Sequence, residues 1–163
     1  MELGSAALYH LTGNRVYLDQ GAAFARQEPV TPWMGKDTPR HNQFFPWHNN
    51  GHYELSRNAP AQLKAELAAN YRAGLDLVVQ RANNGFRVGI PFIWCSNNLM
   101  TSFATQALLY RTMTGDARYR EYEVAALDWL FGTNPWGTSM VIGLLNHGRW
   151  SRDPHSVVAV RLG

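Results

Sequence analysis

Apolar residues recur along much of this chain at helical spacing. Between residues 60 and 82, Leu63, Leu67, Tyr71, Leu75, Val78 and Val79 share one face, with Gln62, Lys64, Glu66 and Arg72 elsewhere. Pro60 suits a first helical turn, and Asn83-Asn84-Gly85 supplies the stop. Residues 97–113 repeat the pattern through Leu99, Phe103, Ala107 and Tyr110. Residues 117–131 repeat it again through Tyr119, Tyr122, Ala126, Leu127, Leu130 and Phe131. The opening segment predicts a helix over 2–11, a turn, and a second helix over about 15–26.

A turn signal occurs twice. Thr12-Gly13-Asn14-Arg15-Val16-Tyr17 is echoed 102 residues later by Thr114-Gly115-Asp116-Ala117-Arg118-Tyr119. In each case the glycine suits the tight turn of an αα-hairpin, and Asn14 or Asp116 suits the cap of the next helix. Repeated antiparallel pairs predict an α/α solenoid or toroid, a chance recurrence of common turn residues being the alternative. Between the helices lie long loop-like segments, 28–50 and 85–96, and a tail from 132 onward, lengths that often carry function. Arg87-Val88-Gly89-Ile90 and Met140-Val141-Ile142 are expected as short extended pieces in an otherwise strand-poor chain.

Composition narrows the class. The chain has 163 residues, 45% of them hydrophobic and 17% charged, which describes a globular domain able to bury a core. The net charge is +3, but the arginines are scattered singly, and only Lys36 and Lys64 are lysines. Phosphate backbones attract clustered charge, so no nucleic-acid partner is expected. No apolar run is long enough to cross a bilayer, so no membrane partner is expected either. The first residues read as helix instead of a secretory leader. Cys95 is the only cysteine, so neither an intrachain disulfide nor a cysteine zinc site can form. Trp33, Trp47, Trp94, Trp136 and Trp150 fall in Gly-, Asn- and Pro-rich loop segments. Rings placed there either stack on the apolar faces of sugars or plug the ends of a helical bundle.

The chemistry-bearing groups exclude several mechanisms. His48 and His52 have the i, i+4 spacing of two imidazoles on one helical face, but Asn49, Asn50 and Gly51 lie between them. A zinc hydrolase needs a glutamate there and a third ligand, so sugar hydrogen bonding or a buried structural role is the better reading. Ser96, Ser139 and Ser156 lack the Gly-x-Ser-x-Gly elbow and its strand, and Cys95 as a nucleophile meets the same objection. Gly132 and Gly137 lack the P-loop lysine. No cofactor and no metal is expected. Glu2, Asp19, Glu66, Asp76, Asp116, Glu121, Glu123 and Asp128 fall on predicted helices or turns, where solvated-face and capping roles are expected. Glu28 and Asp37 lie in a loop without a spaced acidic partner, Glu54 follows His52 and Tyr53 and is placed to approach a cleft, Asp153 is expected to orient the loop at Pro154-His155, and no acid–base pair emerges.

The run Asp128-Trp129-Leu130-Phe131-Gly132-Thr133-Asn134-Pro135-Trp136-Gly137-Thr138-Ser139-Met140 is the most informative stretch. A helix ends at Gly132, Asn134-Pro135 blocks its continuation, and Trp136-Gly137 sets an aromatic ring on the loop. With it go Asn50-Gly51-His52-Tyr53-Glu54-Leu55, Tyr71-Arg72-Ala73-Gly74, Pro91-Phe92-Ile93-Trp94-Cys95-Ser96-Asn97-Asn98-Leu99, Thr114-Gly115-Asp116 and Asp153-Pro154-His155-Ser156. In this order, the segments resemble the C-terminal half of the catalytic domain of family 9 glycoside hydrolases, in the branch often found with an N-terminal immunoglobulin-like domain.

The resemblance implies an all-α fold, an α/α toroid of (α/α)6-barrel type. About half of that barrel is present, as one partial catalytic domain over residues 1–163. It implies a cellulase-type enzyme that hydrolyses β-1,4-glucan or cello-oligosaccharide with inversion, and a secreted or periplasmic location. An inverting pair of carboxylates stands roughly 6.5–9.5 Å apart. In the family the aspartate base lies in an Asp-rich segment N-terminal to anything matched here. The glutamate acid lies in an Asn-Glu segment beyond the Pro-His motif. Both are therefore expected outside this chain, which alone is expected to be inactive. Trp47, Trp94 and Trp136 are expected to stack on pyranose rings, while Asn97, Asn134 and His155, helped by Arg152, bond hydroxyls. Pro154-His155-Ser156 stands where many cellulases have proline, two histidines and an arginine, which points to a different branch. Half a toroid leaves apolar faces uncovered, so self-association or missing barrel segments are expected to cover them. The alternative is a non-catalytic carbohydrate-binding or interaction module of α/α-toroid type.

Overall fold

The computed structural model describes residues 1–35, 48–91 and 95–141. Helices account for its regular structure: α1 (Glu2–Thr12), α2 (Arg15–Gln27), α3 (Pro32–Gly35), α4 (Asn50–Ser56), α5 (Ala61–Arg81), α6 (Ser96–Thr114) and α7 (Arg120–Leu130). The long predicted helices are all present. α1 pairs with α2 and α6 with α7 as antiparallel hairpins, and α4 and α5 lie between the two pairs. The described chain is therefore all-α.

The two hairpin turns are built from the same bonds. Gly13 (φ 66°) and Gly115 (φ 75°) both take the left-handed conformation that ends a helix. Their amides donate to Tyr9 O and Arg111 O, both at 2.8 Å. Thr12 Oγ1 donates back to Leu8 O and Thr114 Oγ1 to Tyr110 O, at 2.7 and 2.8 Å. Each threonine oxygen then accepts from the residue after the glycine, Asn14 or Asp116. Finally Asn14 Oδ1 accepts from Val16 N and Asp116 Oδ1 from Arg118 N. The sequence echo is thus a structural repeat. Asp116 also receives Arg118 Nε at 2.6 Å and the Tyr110 hydroxyl at 3.0 Å. Ala117–Tyr119 remain a turn, and α7 begins at Arg120, three residues later than expected.

Two short helices escape the periodicity. α3 is four residues long and inserts Trp33 and Met34, both fully buried, against α5. Trp33 is therefore one of the plugs and not a loop ring open to a ligand. Gly74 makes room for it, since a Cβ at that position would stand 2.8 Å from Met34 Sδ. α4 is seven residues long and sinks His52 and Leu55 fully into the core. Around them Leu67, Tyr71, Leu75, Leu99, Met100, Phe103 and Ala107 complete a continuous apolar cluster.

Three sequence expectations need correction. Arg87-Val88-Gly89-Ile90 is irregular, because Asn84 folds the segment onto itself. Its Oδ1 accepts from Phe86 N and Val88 N while its Nδ2 donates to Val88 O. Gly89 meanwhile lies so close to α5 that a Cβ would overlap the Val78 carbonyl oxygen. Glu123, expected on a solvated face, is only 4% exposed and is gripped by Arg111 and Arg120 at 3.2 and 2.6 Å. Glu2, expected likewise, reaches His52 Nδ1 at 2.7 Å. In the second expected extended piece Met140 N bonds Leu130 O, and Ile142 lies outside the described residues.

The loops gather at one end of the helices. Arg81, the last residue of α5, donates to Met34 O and Gly89 O. Phe86 meets Trp129 edge-on at 5.6 Å, and Trp129 meets Trp136 edge-on at 5.9 Å. Segments 32–35, 81–91 and 129–140 therefore adjoin, and the two Thr-Gly turns lie at the opposite ends of their hairpins.

Replacing Tyr71 by Phe tests the polar seam under α4. The Tyr71 hydroxyl donates to Asn49 O at 2.7 Å and accepts from Tyr53 N at 3.3 Å, and burial raises its pKa. Tyr71→Phe leaves both backbone groups without that partner and is expected to cost about 1–3 kcal/mol in urea denaturation. A change near zero would contradict this account.

Acid stability offers a second check. The Arg118 amide, the Tyr110 hydroxyl and the Arg118 guanidinium hold Asp116 below the usual carboxylate range. A carboxylate with a depressed folded pKa contributes stability above its unfolded pKa and loses it as pH falls through the folded value. Asp116→Asn keeps the cap, as Asn14 does in the first hairpin. Wild type should therefore exceed the variant in stability at neutral pH, with the gap closing in acid below the ordinary aspartate range. A gap independent of pH would sink the assignment.

Candidate functional site

The loop after α7 is organised around one side chain. Asn134 is 6% exposed, and its amide is fully used. Nδ2 donates to Trp129 O and Thr138 O, both at 2.8 Å. Oδ1 accepts from Trp136 N and Thr138 N at 3.1 and 3.3 Å. A primary amide has two donors and two acceptor lone pairs, so nothing remains for a sugar hydroxyl. The expectation that Asn134 bonds hydroxyls gives way to a different task, which is to shape the loop that carries Trp136. Gly132 (φ 118°) and Gly137 (φ 58°) supply the left-handed corners on either side.

Trp136 is half-buried, with its ring set edge-on against Trp129 and its remaining surface at the loop end. Asn97 is exposed in the first turn of α6. Among the described residues its side-chain amide has no hydrogen-bond partner. Cys95 precedes it in a left-handed conformation (φ 68°) and is half-buried against the core. Trp47, Trp94, Arg152 and His155 lie outside the described residues.

The two histidines of the His48-x-x-x-His52 spacing go separate ways. α4 begins only at Asn50, and Asn49 breaks the helical path with φ 57°. His52 points inward, with Nδ1 on the Glu2 carboxylate and Nε2 on Pro29 O at 3.0 Å. His48 points outward and meets Glu28 at 3.1 Å through Nε2. Under this surface, Gln106 Nε2 donates to Thr31 Oγ1 at 2.6 Å and to His48 O at 3.1 Å. Asn49 Nδ2 donates to Glu28 O and Thr31 Oγ1. The sequence reading missed Gln106, Thr31 and Asn49, because their partners lie far away along the chain. Together they fix the two described ends of the 28–50 segment against each other.

Most of the described carboxylates serve the fold. Hydrogen bonding to Arg26 holds Glu66 below the usual carboxylate range, and Asp116 is lowered as described. A general acid needs the opposite shift. Glu54 is paired with Arg57, Glu121 with Arg87, and Asp76 with the Tyr119 hydroxyl, whose pKa is raised by burial and by that bond. Asp37 and Asp153 lie outside the described residues.

Stacked αα-hairpins with their loops collected at one end define the class of α/α-hairpin proteins. The family model of glycosyl hydrolase family 9 matches residues 1–161, and the chain belongs to that family. It is thus a glycoside hydrolase of cellulase type by membership. Comparison with curated proteins and with solved structures returns no match.

The loop assignment can be checked by paired variants. Asn134→Ala removes four hydrogen bonds from a buried position and is expected to cost about 1–3 kcal/mol, with a change in the near-ultraviolet circular dichroism of Trp129 and Trp136. Asn97→Ala, at an exposed amide, should stay within about 0.5 kcal/mol. Equal effects from the two would show that the loop is not built on Asn134.

Proposed function

We propose that this chain forms one wall of a sugar-binding cleft in an enzyme that hydrolyses β-1,4-linked glucan or cello-oligosaccharide with inversion. The observation that carries the reading is the family 9 match over residues 1–161, joined to an aromatic loop whose geometry is held from within by Asn134. In this reading Trp136, with Trp47 and Trp94, offers ring faces to pyranoses. Asn97, Arg152 and His155 bond hydroxyls, and Asn134 acts through the shape of the loop. The chemistry needs a carboxylic acid to protonate the leaving oxygen and a carboxylate base to activate water on the opposite face of the sugar. The described carboxylates are committed to histidines, tyrosines and arginines in most positions, which supports an acid and base supplied from elsewhere. The proposal also includes a partner surface: Leu8 and Leu11 stay exposed on α1, and Leu127 near the end of α7. Further helices of the toroid or a second copy would cover them.

The expected behaviour of the 163-residue chain is binding of cellotetraose without turnover. Trp136→Ala should weaken that binding by about tenfold, the scale of one lost ring–ring contact with its buried area. Isothermal titration gives the affinity, and reducing-end assays give the turnover. Hydrolysis by the purified chain, abolished by a point mutation within it, would overturn the placement of the acid and base.

A further inference from the structure

A cleft of about 420 Å³ opens between the start of α1, the end of α2 and the residues leading into α4. Leu3 and Phe24 give it apolar surface, and Gln27, Glu28, His48 and Asn50 give it polar edges. Its volume lies in the range of small-ligand sites. What distinguishes it is unspent hydrogen-bonding capacity. Nε2 of His48 meets Glu28 Oε1 at 3.1 Å, and in the tautomer that donates Nε2–H to that carboxylate Nδ1 is a lone-pair acceptor with no partner among the described residues. Among the described residues the second Glu28 oxygen has no partner either, and the pair remains accessible, 21% for His48 and 45% for Glu28. The Gln27 amide is exposed and makes no side-chain bond. Asn50 Oδ1 is buried and has no partner. Among the described residues this is the opposite of the Asn134 loop, where the amide is exhausted internally.

The scaffold beneath holds the pair in place. Gln106 bonds the His48 carbonyl, Asn49 bonds the Glu28 carbonyl, and Thr31 accepts from both amides. A carboxylate and an imidazole acceptor, fixed side by side and flanked by two amides and an aromatic ring, match adjacent hydroxyls on a pyranose. The Glu28 charge disfavours a carboxylated sugar by like-charge repulsion.

We propose that the Glu28–His48 cleft binds a neutral pyranose through two neighbouring hydroxyl groups, as a sugar site separate from the Trp136 wall. The class of ligand rests on the glycosidase reading above, while the location rests on the cleft itself. Cellotetraose added to the full chain should shift the His48 ring signals in NMR spectra, assigned by their loss in His48→Gln. Glu28→Gln keeps size and shape but removes the charge, and it should weaken this response about tenfold or more, a hydrogen bond to a charged group being stronger than one to a neutral group. A glucuronic-acid oligosaccharide should not compete. Circular dichroism of both variants checks that the helices persist. Three results overturn the inference alone: still His48 signals while Trp136 responds to cellotetraose, unchanged affinity in Glu28→Gln, or a His48 response to calcium in place of sugar. Loss of all response to cellotetraose, at Trp136 and His48 together, overturns the reading on which it rests as well.

Discussion

The buried imidazole of His52 is the constraint on which the loop end depends. Its Nε2–H donates to the Pro29 carbonyl, and its Nδ1 meets the Glu2 carboxylate through both oxygens, at 2.7 and 3.0 Å. One proton binds ring to carboxyl whichever group holds it. The ring is fully buried, so neither nitrogen has water as a substitute partner. α4, at seven residues, is too short to be stable through its own backbone bonds. It is held by this contact, by Tyr71 on its first turn, and by Leu55 in the core. Gly51 permits the approach, since a Cβ there would stand 2.8 Å from the Glu2 carboxyl carbon. With His52 fixed, Pro29 and residues 48–50 are fixed too, and the Glu28–His48 pair follows from them.

What the sequence revealed and what it concealed divide along the range of the interactions. The Thr-Gly-Asn and Thr-Gly-Asp turns were legible because every bond that builds them spans four residues or fewer. The long helices were legible because their buried faces repeat. α3 and α4 were not, since too few residues are present to show a period. The bonds that hold α4 join residues 50 apart, and the Gln106–Thr31 bond joins residues 75 apart. Burial of Glu2 and Glu123 was hidden for a related reason. A charge at a helical position reads as solvated until its partners are known, and His52 on α4 and Arg111 on α6 reach these two carboxylates from other helices. The irregular course of 87–90 is the mirror case: apolar residues suggested an extended piece, and one local side chain, Asn84, overrode them.

The loop of the candidate site was legible in its outline, and the tasks of its side chains less so. The run from Phe131 to Met140 announces a loop with an aromatic at its tip, and such a loop is present. Which residue would touch a ligand and which would build the loop depends on hydrogen-bond capacity. An asparagine has four bonding places, and an amide that fills all four with backbone groups cannot also hold a hydroxyl. Asn134 and Asn97 look equivalent in sequence, both polar residues within three positions of a tryptophan. In space, the first is consumed by Trp129, Trp136 and Thr138, and the second faces outward with its amide unspent.

The same accounting separates scaffold from surface across the loop end. Asn49 and Gln106 spend their donors on the carbonyls and hydroxyl that frame the 28–50 segment, while Glu28, Gln27 and His48 keep hydrogen-bonding atoms unspent at the edge of a cleft. A buried amide that donates to a loop carbonyl holds that loop at the cost of ligand contacts, and an exposed one does the reverse. Polar residues of the two kinds alternate here within a few positions of each other: His48 open, Asn49 committed, Asn50 with its oxygen unmatched. A recognition surface backed by a committed polar layer is pre-organised, because the groups that would meet a sugar are already oriented by bonds the sugar does not have to form. In the proposed cleft that layer, more than any single aromatic ring, would be the contribution of this stretch of chain.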